Sequence, residues 1–132
     1  MIQNKCLYIN PIMISFEIYK LLHLTGIVIL FLAFGYAFLM LKQGLDYKVY
    51  GKTFAKMHGI SLFIILLGGF GALARLGISW PWPMWVWVKF FVWAVFGGLL
   101  VLVKRSKIKH PVFLILVLDL FVVAAVFAIF KI

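Results

Sequence analysis

Acid is what this sequence has least of. Glu17, Asp46 and Asp119 are its three carboxylates, against 13 lysines and arginines. Acids so few and so far apart offer no carboxylate pair for hydrolytic acid–base chemistry, and no HExxH run is present to bind zinc. Cys6 is the single cysteine, which excludes an internal disulfide and a paired-cysteine metal site. The run GGFG, Gly68 to Phe70 and Gly71, leads into Ala72-Leu73 and not into Lys-Ser or Lys-Thr, so no phosphate-cradling loop is present. Proline occurs only at positions 11, 81, 83 and 111, leaving long stretches free of helix breakers.

What fills the chain is hydrocarbon. Of 132 residues, 67% are apolar and 12% charged, and the mean hydropathy is +1.19. A soluble domain averages about half apolar and about a quarter charged. A chain this short has too little interior to hide the excess, so lipid must cover it. The apolar residues form four blocks, Leu21 to Leu41, Met57 to Ala74, Met84 to Val103 and Pro111 to Phe130. Each has the length of a helix that crosses a hydrocarbon layer of about 30 Å. Polar and apolar residues do not alternate, which excludes barrel strands. The expectation is an all-α, polytopic membrane four-helix bundle with up-down topology. Its one transmembrane domain, 1–132, has helices at about 16–41, 54–77, 84–104 and 111–131. The first 15 residues lack the pattern of a cleaved signal and read as an external lead-in.

Charge sets the orientation. Lys42, Lys48, Lys52 and Lys56 follow the first block, and Lys104, Arg105, Lys107 and Lys109 follow the third. In an up-down bundle both sets fall on one side of the bilayer. The positive-inside rule makes that side cytoplasmic and puts both termini on the outer, periplasmic side of a bacterial inner membrane. The net charge of +10 then finds its partner in anionic lipid headgroups, not in nucleic acid. Thr53 is a candidate cap for the second helix, and Gly77 suits the left-handed turn that ends it. The run SWPWPMWVW, Ser79 to Trp87, reverses the chain where tryptophan favours the membrane boundary.

The polar residues inside the spans are the candidate site. His58, Ser61, Ile65, Gly68, Ala72 and Arg75 fall at three- and four-residue steps and share one stripe of the second helix. Gly68, Gly69 and Gly71 either let helices approach closely or make room for a flat ligand. By residue counting, His23, Arg75 and Lys89 share the outer third of the bilayer. His23 is an axial haem ligand, a proton relay or a hydrogen-bonding partner of a neighbouring helix. Lys89 meets a ligand carboxylate, ligates a metal as a neutral amine, or reaches for the headgroups or for Glu17. Trp85 and Trp93, each four residues away, can shield its charge. Arg75 holds a carboxylate or extends to the headgroups. His58 and His110 sit toward the cytoplasmic end and are a candidate metal pair. Asp119, in the middle of the last block, is a helix-to-helix anchor or a proton-transfer residue.

The segments YKLLHLTGIVILFLAFG, with His23, and WVWVKFFVW, with Lys89, resemble the first and third helices of the HemJ-type protoporphyrinogen oxidases. These are small four-helix bacterial membrane proteins, similar in plan to copper-resistance D-type membrane domains. The resemblance implies haem b on His23, Lys89 in the site, and oxidation of a porphyrinogen with electrons passed to a quinone. The functional expectation is a haem- or quinone-associated redox protein. It has Asp119 and Lys89 in catalytic roles, and His23, His58, Gly68, Arg75 and Lys89 around a quinone or porphyrin, with His23 on the metal. The alternatives are a structural or accessory subunit of a larger membrane complex, a homo-oligomer among them, and a small proton-coupled transporter.

Overall fold

The computed structural model describes residues 15–105 and 108–130, so Cys6 and the lead-in expected before residue 15 lie outside them. The described residues form four helices and no strand: α1 Phe16–Gln43, α2 Tyr47–Arg75, α3 Met84–Lys104 and α4 His110–Phe130. All four are long and apolar enough to cross a membrane. Large apolar side chains stand exposed on every one of them, Leu21, Phe63, Phe91 and Ile129 included, as expected of surfaces that face lipid.

The ends of the helices follow their local chemistry. Ser15 caps α1, its hydroxyl accepting from the Ile18 amide. The second helix begins seven residues before the expected start, because Asp46 caps it and accepts from the Lys48 amide at 3.0 Å. Thr53 is therefore inside α2, and Lys48, Lys52 and Lys56 lie on the helix at four-residue steps, all exposed. The α1–α2 turn shrinks to Gly44, Leu45 and Asp46. At its far end α2 stops as expected: Gly77 has φ +69°, and the Ile78 amide reaches back to the Leu73 carbonyl at 3.1 Å.

The core sits on α1. Leu30, Ala33, Phe34, Ala37 and Met40 recur at three- and four-residue steps and are all buried. Phe34 touches every other helix, its ring centroid 6.3 Å from Phe54 and 5.6 Å from His58 in α2, 5.4 Å from Phe96 in α3 and 5.8 Å from Phe113 in α4. The α1–α2 pair is packed most extensively, while α3 packs on α2 and α4, and α4 closes back on α1. A Cβ on Gly68 would stand 2.5 Å from the His23 backbone nitrogen and 2.8 Å from the Tyr19 oxygen, so only glycine admits α1 here. On the other helix Gly26 plays the same part against Ile65 and Ser61.

Both basic turns lie at one end of the bundle. Gly44 and Leu45 from the α1–α2 turn, Ile108 and Lys109 from the α3–α4 turn, and His110 at the start of α4 line one cleft of about 430 Å³.

Candidate functional site

Helix α2 is joined to its neighbours by side chains that donate to backbone carbonyls across the interface. His23 of α1 places Nδ1 2.8 Å from the Ile65 carbonyl oxygen. Trp93 of α3 donates Nε1–H to the Leu62 carbonyl at 3.0 Å. In the other direction His58 of α2 places Nε2 2.9 Å from the Phe96 carbonyl of α3; within α2 itself the Ser61 hydroxyl donates to the His58 carbonyl at 2.8 Å. A carbonyl can only accept, so each imidazole nitrogen in these bonds carries the proton. Among the described residues no buried side-chain nitrogen or oxygen lacks a partner. In lipid that matters, because hydrocarbon offers no replacement bond.

The two intramembrane histidines differ in access. His58 is 2% exposed, edge-on to Phe34 and tilted against Phe54 at 5.3 Å. Its partner Phe96 is near the middle of α3, so His58 is deeper than residue counting from the turn suggests. His110 packs on Phe38 at 5.8 Å, one turn of α1 away from the ring that covers His58. The two thus have separate surroundings. His23, by contrast, is half-buried, with Gly69 against its ring and Gly71 against the ring of Tyr19. The space freed by Gly68 and Gly71 is filled by α1.

With Nδ1–H directed at Ile65, the other ring nitrogen of His23 keeps its lone pair, the form in which an imidazole accepts a proton or ligates a metal. Lys89 is close enough for its charge to act on the His23 ring. This is the convergence expected from counting residues down α1 and α3. Of the two tryptophans expected beside Lys89, Trp85 carries its ammonium, 4.9 Å from the ring centroid. Trp93 stacks instead on Phe90 at 5.6 Å. Trp80, Trp82 and Trp87 form a mutual cluster with centroids 5.4 to 5.8 Å apart, which roofs this end of the bundle. Arg75 is exposed in the last turn of α2, where a cation complements the helix dipole.

Asp119 belongs to none of this. Val117 is buried in the core, and at about 100° per residue Asp119 stands about 200° further round α4, on its exposed side. The structure therefore does not bring it to His23, His58 or Lys89 of the same chain. Among the described residues no group of three or more His, Cys, Asp or Glu side chains is placed to hold a metal ion. Nothing in the sequence marks Trp93 as a brace, since an indole in an apolar run looks like any other packing residue.

Comparison with protein families, with curated proteins and with solved structures finds no match to this chain.

Proposed function

We propose that this chain is a multi-pass protein of a bacterial inner membrane that binds the head of a lipid-soluble redox carrier at His23 and Lys89. The observation that carries this reading is the bond from His23 Nδ1 to the Ile65 carbonyl, with Lys89 within electrostatic reach. It leaves an imidazole lone pair on a half-buried ring that lies within the electrostatic reach of the Lys89 ammonium. A quinone has the complementary pattern. Its carbonyl accepts from Lys89, and the hydroxyl of the reduced form donates to His23 Nε2. In this reading both termini lie outside and the lysine-rich end faces the cytoplasm, so the head would sit in the outer half of the bundle, toward the Trp80–Trp82–Trp87 cluster.

Haem b is the other group these residues could hold, with His23 as the side chain that would ligate its iron. His23 is held by a backbone carbonyl, as ligating imidazoles usually are, and Lys89 and Arg75 supply cations for the propionates. Bound there, haem would supply one-electron chemistry. The likeness of the first and third helices to HemJ-type oxidases supports this version.

The test is to purify the protein in mild detergent, record oxidised and reduced absorbance spectra, and extract and quantify haem and quinone. Near-stoichiometric amounts of either, lost on His23→Ala, support the reading. If neither co-purifies and neither binds when added back, His23 and Lys89 hold no redox carrier and the reading fails.

A further inference from the structure

We propose that α4 is a dimerisation helix: two copies pack α4 on α4 along Val112, Ile115, Asp119, Val122, Val126 and Ile129, and the two Asp119 carboxyls hydrogen-bond to each other.

Three observations lead here. The first is depth. In the 21-residue helix His110–Phe130, Asp119 lies about 14 Å from one end and about 17 Å from the other, the middle of a span. The second is direction. Ionisable residues within membrane spans almost always face the interior of a bundle, yet Asp119 faces away from it, and no side chain among the described residues pairs with it. Hydrocarbon offers a carboxyl nothing to bond, so this face calls for a polar partner from outside the described residues. The third is pattern. The six residues follow steps of 3, 4, 3, 4 and 3, the seam of a helix pair that interdigitates, and the five apolar ones are 38% to 74% exposed. All five are valine or isoleucine, whose stiff side chains lose little freedom on packing.

The pattern also selects the occupant. Two copies of one protein insert in the same orientation, so their α4 helices run parallel and their Asp119 residues fall at the same depth. A two-fold axis through the seam then sets each carboxyl against its own equivalent, and because an acid group carries both a donor and an acceptor, the pair is self-complementary. A single polar residue in an otherwise β-branched seam also fixes register, since any slip would leave both acids in apolar surroundings. Helix α4 is free to do this, because its core face is already taken by Phe113 and Val117 packed toward Phe34 and its neighbours. The proposal is independent of any ligand at His23.

The experiment uses the full chain with Cys6→Ser, reconstituted in lipid at several protein-to-lipid ratios. Ile115→Cys and Val122→Cys, introduced singly, should oxidise to disulfide-linked dimers, whereas Leu114→Cys and Phe63→Cys, off the seam, should not. Without cysteines, Asp119→Val should lower the dimer fraction at least tenfold at fixed dilution in lipid, and Asp119→Asn, which keeps a donor and an acceptor, should stay within about threefold. Equal cross-linking at Phe63 and at Ile115 overturns the proposal. So does a monomer at all ratios, whether alone or with a different protein bound to α4. If Asp119→Val fails to insert, the cross-linking pattern alone decides.

Discussion

His58 and Phe96 are joined across the centre of the bundle, with Nε2 of the buried imidazole 2.9 Å from the carbonyl oxygen of α3. The Phe34 and Phe54 rings close the remaining sides. A ring so enclosed acts as a cross-brace between α2 and α3. His58→Phe keeps an aromatic of similar size and removes the donor. Interhelical hydrogen bonds in membranes contribute roughly 0.6 to 2 kcal/mol, and a loss of about that size is expected. Reversible unfolding in mixed micelles measures it; unchanged stability would show that the bond contributes nothing.

Gly68 holds α1 and α2 together by having no side chain. Gly68→Ala puts a methyl group against the His23 and Tyr19 backbone, which cannot move as a side-chain tip can. Overpacking of this kind costs about 1 to 3 kcal/mol. Gly35 and Gly59 have nothing within 4 Å of the same position. Gly35→Ala and Gly59→Ala should therefore leave the unfolding midpoint unchanged or raise it, while Gly68→Ala lowers it. Equal effects at all three positions would mean that helix propensity dominates and close approach does not.

The start of α2 separates two possible caps. Asp46→Ala removes the oxygen that accepts from the Lys48 amide, at a cost of about 1 kcal/mol. Thr53→Ala, inside the helix, should be neutral. Hydrogen exchange gives a local reading: the amides of the first α2 turn should exchange faster in Asp46→Ala and not in Thr53→Ala. The reverse result would restore Thr53 as the start.

These contrasts mark what the residues reveal unaided. Four helices were legible because lipid demands long apolar runs, and α3 begins and ends where its run does. The start of α2 was not, because Asp46, Gly51 and three lysines suggest a polar turn, whereas helical lysines four residues apart reach headgroups equally well. That Lys89 lies within electrostatic reach of His23 agrees with the shared depth counted along two helices. Which way a polar residue faces did not. Gly68 and Asp119 both suggested function, and only packing showed that one admits a neighbouring helix of its own chain while the other is turned outward. Depth is linear in sequence; facing depends on which neighbours arrive.

Orientation supplies a last expectation, because one cleft lined from both basic turns requires them to share a side of the membrane. In a Cys6→Ser background, Lys48→Cys and Lys109→Cys should react with a membrane-impermeant maleimide in inside-out vesicles and be silent in intact cells. Ser79→Cys, exposed in the tryptophan-rich turn at the other end, should react in intact cells. The lysines are what make this direction the expected one, since basic residues near span ends are retained in the cytoplasm. Labelling of Lys48→Cys and Lys109→Cys together from outside would keep the bundle and reverse its orientation. Labelling from opposite sides would be incompatible with the cleft, and so with the packing of α4 against α1.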